Sequence, residues 1–190
     1  MLFGHTLLSV GAPVVAWIDR TQETVTIRAV LVSMASAALL AGCAGTSSHG
    51  PLAFATDESR VCGPLPDFRD AALGINVPDD LPTGIVIDSV ELLNAKGIAA
   101  QGSYLMPMPG QRLLLDKFPP EEQFPDEWLH AVGAVGATVD PSRREDLVVH
   151  VVANKNGGTI DGVTITYSVA GRQYTADSLL GLTLTTDVCG

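Results

Sequence analysis

The sequence predicts an all-β protein, an antiparallel β-sandwich that is immunoglobulin-like in the loose sense. Short runs rich in valine, isoleucine and threonine recur along its second half, and several alternate apolar and polar side chains with a period of two. Clusters of glycine, proline and asparagine separate these runs. Between residues 62 and 190 no run has the length and periodicity of a long amphipathic helix. A sandwich of roughly six to eight short strands fits this pattern best.

The first part of the predicted domain is irregular and gives way to clear strands. Between Cys62 and Pro82 the prolines and glycines predict extended coil, with at most one helical turn around residues 67–72. Beyond Gly84 the β-branched content rises, and Asn94–Gly97 has the composition of a turn. Strands are therefore predicted at residues 85–93, 98–106 and 113–115.

The later strands are predicted from turns and alternation. Residues 116–145 contain prolines and a cluster of acids, so we expect a loop there with one strand near Ala131–Val139. Asn154–Gly158 and Ala170–Gly171 are turn sequences. The strands that they separate are predicted at residues 147–153, 163–169, 172–176 and 180–188.

Residues 1–42 are expected to be a leader that is not part of the fold. Arg28 precedes an apolar run, Ala29–Leu40, and the small pair Ala41-Gly42 follows it, which is the order of a secretory signal peptide. The run has roughly a dozen residues, fewer than the ~20 that a transmembrane helix needs. Two other interpretations of this run remain open: an ordinary secretion signal, and a buried core helix of the folded domain.

The start of translation is left open by the first residues. Asp19 and Glu23 accompany Arg20 in the stretch before Ile27, and these acids do not suit a cationic n-region. Either translation begins near Val25, which leaves a short cationic n-region, or the leader is unusually long.

Leu40-Ala41-Gly42-Cys43 resembles the lipobox of bacterial lipoproteins, and the size and the Gly/Ala-rich composition resemble envelope lipoproteins of the actinobacterial type. The resemblance implies that Cys43 carries a diacylglyceryl group on its sulfur and that the segment before it is removed. The protein would then be anchored on the outer face of the cell membrane. We expect residues 43–61 to be the lipidated cysteine and a flexible tether, and residues 62–190 to be a single domain.

Two cysteines remain if Cys43 is lipidated, and they lie near the two ends of the predicted domain. In an exported protein such a pair is expected to form a disulfide, here between Cys62 and Cys189. A two-cysteine metal site is the alternative, but the sequence lacks CxxC spacing and the histidines that usually complete such a site.

Charge and motifs exclude several classes of function. The formal net charge of −10 argues against nucleic acid as a partner and against electrostatic adhesion to anionic lipids, so membrane contact is expected through the lipid anchor. The sequence contains no GxSxG nucleophile motif, no calcium-loop spacing and no phosphate loop. We therefore predict a protein that is not an enzyme and has no catalytic residues.

Met106-Pro107-Met108 raises the possibility of a metal site. Thioether and imidazole ligands suit Cu(I), and His130 and His150 lie in the same predicted domain. Exported copper chaperones use Met-x-Met and histidine, although the spacing here differs from their motif. The alternative is that Met106 ends a strand with its side chain inward, that Met108 lies in a proline-rich bend, and that His150 is a hydrogen-bonded interior or edge histidine.

These observations predict a lipid-anchored, extracytoplasmic module of the cell envelope that binds or scaffolds without catalysis. We expect exposed strand edges or loops to contact an envelope protein or glycan, and no cofactor beyond the acyl modification. The alternative function is an exported copper-binding or chaperone domain that uses the methionine and histidine residues above.

Overall fold

The structure is a computed structural model that describes residues 50–54 and 58–189, and these residues confirm the predicted all-β class. The described residues form eleven strands and two short helices. In chain order the elements are β1 (Ser59–Pro64), α1 (Leu65–Phe68), β2 (Asp70–Asn76), β3 (Val86–Leu93), β4 (Ile98–Pro107), β5 (Leu115–Lys117), α2 (Pro125–Leu129), β6 (Val132–Gly133), β7 (Glu145–Ala153), β8 (Gly158–Ile160), β9 (Gly162–Val169), β10 (Arg172–Ser178) and β11 (Leu180–Thr185).

The strands form three sheets. Sheet I has five strands in the order β5-β2-β7-β4-β6, sheet II has the order β10-β9-β3, and sheet III has the order β1-β11-β8. Sheets I and II are antiparallel throughout. In sheet III, β11 is antiparallel to β8 and parallel to β1, so the fold is mostly antiparallel.

The main core combines the inner faces of all three sheets. Its fully buried side chains alternate along the strands, as the period-two pattern predicted. Sheet I contributes Leu73, Leu105 and Val149, while Ile165 of sheet II and Leu182 of sheet III belong to the same cluster. This arrangement is that of a sandwich-like fold.

A second, smaller core covers the outer face of sheet I. Ala72, Met106 and Val148 project from β2, β4 and β7, and Leu113 and Phe124 from the connection between β4 and β6 pack onto them. Gly74 permits this packing, because a Cβ at this position would collide with the carbonyl oxygen of Leu113. The part of sheet I beneath this smaller core is therefore buried on both faces.

The region between Cys62 and Pro82 differs from the predicted coil. It contains the end of β1, the helix α1 and β2, and β2 is an interior strand of sheet I. The sequence of β2, Asp-Ala-Ala-Leu-Gly-Ile-Asn, lacks the β-branched density and the alternation of a half-exposed strand. Because both faces of β2 are covered, burial by the two cores overrides its weak β propensity.

The fold also begins before residue 62, the boundary suggested by the sequence. Leu52 is buried, and its backbone N–H donates to the Tyr167 hydroxyl at 3.0 Å. Phe54 packs against the main core, and β1 starts at Ser59. Part of the stretch expected to be a tether therefore belongs to the sandwich. Cys43 and the leader lie outside the described residues.

Candidate functional site

One edge of sheet I is only partly paired. β4 pairs with β7 from Ile98 to Pro107, but on its other side only Tyr104 and Leu105 pair with β6. The next bond on that side runs from the Ala134 N–H to the Ser103 carbonyl oxygen, at 2.8 Å. Within the described ranges, no strand covers the outer side of Ile98–Gly102. We call these five residues the open edge.

The chain that follows β6 turns away from β4 and crosses to sheet II. The Gly136 N–H donates to the Ile87 carbonyl oxygen at 2.8 Å, and the Ile87 N–H donates to the Ala137 carbonyl oxygen at 3.1 Å. Gly136 has a φ of 82°, which glycine adopts without strain. This crossing limits β6 to two residues and leaves the open edge without a neighbour from this part of the chain.

The open edge has few of the features that protect natural edge strands. Such strands usually carry charged side chains, proline or a bulge that discourage pairing with another chain. Residues 98–106 contain neither a charged residue nor a proline, and the register shift between Ala100 and Gly102 is the one protective feature among them. The edge can therefore accept another extended backbone.

A shallow groove of about 340 Å³ runs beside the open edge, between β3 and β4. Small side chains and glycines dominate its lining, which allows a backbone to approach closely. The lining residues are Val90, Ala100, Gln101, Gly102, Ser103, Gly133, Ala134 and Val135. Val135 is 62% exposed and nearby Val132 in β6 is 54% exposed, so apolar surface flanks the groove. We call this feature the edge groove.

An aromatic cluster on the outer face of sheet I holds the helix α2 in place. The rings of Phe118 and His150 stack with centroids 3.6 Å apart, and Trp128 of α2 meets Phe118 edge-on at 5.3 Å. Tyr104 lies 5.1 Å from Trp128. The His150 Nε2 is 2.5 Å from Asp70 Oδ1. Because α2 directly precedes β6, this packing fixes one wall of the edge groove.

Two buried acids lie at the beginning of β7. Burial raises the pKa of Asp146, although the N–H of Leu113 and the guanidinium of Arg112 both oppose this shift by bonding to its carboxylate. Burial also raises the pKa of Glu145, opposed by the Asp140 N–H that donates to Oε2 at 3.2 Å. Both carboxylates are therefore engaged in holding loops to the sheet.

Hydrogen bonding lowers the pKa of two other acids, the partly exposed Asp140 and the exposed Asp161. The Ser142 hydroxyl donates to Asp140, and the Arg60 guanidinium and the Asn94 amide donate to Asp161. Asp161 lines an open cleft of about 470 Å³ beside β1 and β11. The donors of Arg60 are already shared among Asp161, Ile160 and Thr183, so this cleft presents a satisfied ion pair to solvent.

The four candidate copper ligands are not gathered at one point. Met106 and Met108 both lie in the smaller core, where they are buried among apolar side chains. His150 projects from the same face of sheet I, but four residues along β7 from Asp146, the residue opposite Met106, or roughly 13 Å at ~3.3 Å per residue. His130 is exposed after α2.

The predicted cysteine pair is joined in the structure. Cys62 of β1 and Cys189, which follows β11, form a disulfide with Cα atoms 5.8 Å apart. The bond adds to the parallel pairing of β1 with β11. Among the described residues there is no group of three or more histidine, cysteine, aspartate or glutamate side chains placed to hold a metal ion.

Sequence reasoning missed both the edge groove and the aromatic cluster. The aromatic residues are spread between positions 104 and 150, and only the fold brings them together. One feature of the sequence could have indicated an unprotected strand edge here, namely the absence of charged residues from Ile98 to Met106. That signal does not reveal which side of the strand lacks a neighbour.

Comparison with known proteins adds no family to this description. No family model, no curated protein and no solved structure matches the chain. Among the described residues, no helix is both long enough and apolar enough to cross a membrane.

Proposed function

We propose that the protein is a lipid-anchored, extracytoplasmic binding module of a bacterial cell envelope, and that it binds another envelope component at the edge groove without catalysis. The observation that carries this proposal is the open edge of β4, five consecutive residues that contain no charge or proline and have no neighbouring strand on their outer side in the described chain. An exposed strand edge of this kind favours binding by strand addition.

Strand addition matches the chemistry of the edge groove. The main-chain groups of the open edge would supply hydrogen bonds to an extended peptide, and the lining would accept its side chains. A glycan is a less suitable partner for this surface, because the groove is lined by small and aliphatic side chains and has no exposed aromatic ring of its own. We therefore favour an envelope protein over a glycan.

The anchoring part of the proposal is supported by the lipobox-like residues ending at Cys43 and by the disulfide, which suits an oxidising compartment. Gly50 lies against Tyr167 and Tyr174 of sheet II. Gly50 is the seventh residue after Cys43, so the chain could extend at most about 25 Å between the lipid and the fold. The partner would therefore be another molecule at the membrane surface.

The experiment combines fractionation with cross-linking in intact bacteria that process lipoproteins. Cys43→Ala is expected to move the protein from the membrane fraction to the soluble exported fraction. A photo-cross-linking amino acid at Ala100, in the edge groove, is expected to give a discrete adduct that is missing when the same amino acid replaces Ala95, which is exposed in the β3–β4 turn. An unchanged membrane fraction, or equal adducts from both positions, would contradict the proposal.

Copper handling remains the alternative proposal, with less support from the geometry. Met106 and Met108 are both occupied in apolar packing, and His150 is bonded to Asp70 and stacked on Phe118. A copper site using these residues would require the smaller core to open.

A further inference from the structure

We infer that the edge groove takes an extended polypeptide segment that carries basic side chains, contributed by a different protein. The inference rests on the proposed function and adds the chemistry of the partner. It follows from the length of the open edge, the shape of the groove, the charges on the elements around it and the position at which the chain enters the sandwich.

The open edge sets the length of the segment. Five residues at ~3.3 Å per residue provide about 16 Å of strand. The open edge is bounded at one end by the turn Asn94–Gly97 and at the other end by the pairing of β4 with β6, and these boundaries limit the length of a bound segment. A bound segment of about five residues fits this interval and lies in line with β6, where a longer β6 would have continued.

The groove selects small or β-branched side chains on one face of the segment. Ala100, Gly102 and Ala134 are among its lining residues, and Val90 and Val135 are the largest aliphatic side chains there. Successive side chains of a strand point to opposite faces, so every second residue of the segment would enter the groove. The residues between them would face solvent and the surrounding protein surface.

The surrounding charges favour basic residues at the positions that face outward. The lining of the groove carries no charged side chain, but acids lie on the elements beside it. Glu91 of β3 is exposed next to Val90, and α2, which contacts β4, carries Asp126 and Glu127 and no lysine or arginine. Lys96 lies in the turn at the Ile98 end of the open edge, and the Asn154–Gly158 turn, which contains Lys155, bonds to Gly97 there. Because the chain as a whole has a formal net charge of −10, it attracts cationic segments.

The same charges argue against a second copy as the occupant. Each chain has a formal net charge of −10, and pairing two open edges would bring the acidic elements of both copies together. The chain's own N-terminal segment is also poorly placed. Gly50 lies against β9 and β10, and the strand order β10-β9-β3 puts β3 between them and the edge groove. A basic segment of another protein is the occupant that remains.

The test uses the full-length protein in a non-ionic detergent and two labelled peptides of eight residues. One peptide alternates valine and lysine, and the other alternates valine and glutamate. Fluorescence anisotropy is expected to show that the lysine peptide binds at least tenfold more tightly than the glutamate peptide and that its affinity falls as salt is raised. Ala100→Lys is expected to weaken binding of the lysine peptide at least tenfold.

Ala95→Lys is the matched control, because it adds the same charge at an exposed position outside the groove. It is expected to weaken binding less than twofold. Circular dichroism checks that each variant is folded, and Gln101→Lys replaces Ala100→Lys if the latter does not fold.

Each contrary result has a distinct meaning. Equal binding of the two peptides would overturn the basic partner but leave the proposed binding module intact. Equal weakening by Ala100→Lys and Ala95→Lys would overturn the edge groove as the place where the peptide binds. A failure of both peptides to bind would overturn the inference and remove the support for strand addition. A dimer of the native protein that Ala100→Lys dissociates would identify a second copy as the occupant.

Discussion

Arg112 donates a hydrogen bond of 2.7 Å to Oδ1 of Asp146, whose side chain is 0% exposed. The second oxygen of this carboxylate accepts the Leu113 N–H at 3.0 Å, and Arg112 also donates to the Glu145 carbonyl oxygen. These bonds tie the loop that follows β4 to the beginning of β7. They also satisfy a carboxylate that would otherwise be buried without a partner.

Replacing Arg112 with methionine is expected to destabilise the protein by about 3 kcal/mol at pH 7, because it leaves the buried Asp146 charge uncompensated. Urea unfolding measures the change. The deficit should shrink near pH 4, since Asp146 has a raised pKa and a protonated carboxyl needs the arginine less.

Arg143→Met is the control for this variant. Arg143 is exposed and lies 4.0 Å from Asp140, so its loss should change the free energy of unfolding by less than about 0.5 kcal/mol. Equal effects of the two substitutions would show that the buried pair has no special role in stability.

Glu145 gives a prediction about pH. Burial raises its pKa above the ordinary 4.5, so the folded state holds the proton more tightly than the unfolded state. The stability contributed by this group is therefore complete below about pH 4.5 and is lost as the pH rises through the raised pKa. Glu145→Gln removes this titration and keeps an oxygen for the Asp140 N–H.

The measurement compares urea unfolding of native protein and Glu145→Gln between about pH 4 and pH 7. The native protein is expected to lose stability relative to the variant as the pH rises. Glu122→Gln, at an exposed position in the loop before α2, is the control, and its free energy of unfolding should change with pH as that of the native protein does. A native protein that gains stability over Glu145→Gln on the way to pH 7 would contradict the assignment.

The strands that sequence reasoning recovered are those with a β-branched pattern. Residues 163–169 alternate, and β9 spans Gly162–Val169 with Val163, Ile165 and Tyr167 in the main core. β2 was not predicted, because alanine and glycine, as at Ala72 and Gly74, have low strand propensity. These small residues leave room for the smaller core that packs on them, and that second layer is a tertiary feature that local sequence does not specify.

The candidate site was less predictable than the fold. Exposed strand edges or loops were expected as the contact surface, but the position of the open edge depends on where β6 ends. That end depends on the hydrogen bonds of Gly136 and Ala137 with Ile87, a residue about fifty positions earlier. The Cys62–Cys189 pairing was predictable because the expected lipidation of Cys43 would leave two cysteines, which can pair in only one way.

Loss of the disulfide is expected to destabilise the protein strongly. Cys62 and Cys189 are 127 residues apart, and on the chain-entropy model a loop of this length contributes about 4–5 kcal/mol. The double variant Cys62→Ser/Cys189→Ser avoids a free thiol and should lower the urea midpoint accordingly. Adding a reductant should lower the midpoint of the native protein and leave the double variant unchanged. A loss below about 1 kcal/mol would mean that β1 and β11 hold the ends together without the bond.

The double variant Met106→Leu/Met108→Leu separates binding by the edge groove from copper handling. Both methionines are buried in the smaller core, and leucine has a similar volume, so the free energy of unfolding should change by less than about 1.5 kcal/mol. Binding of the valine–lysine peptide should be unchanged, because neither side chain lines the edge groove. Titration with Cu(I) against a competing chelator should give the same weak response in native protein and variant. Stoichiometric Cu(I) binding by the native protein that the folded variant loses would instead establish a thioether site.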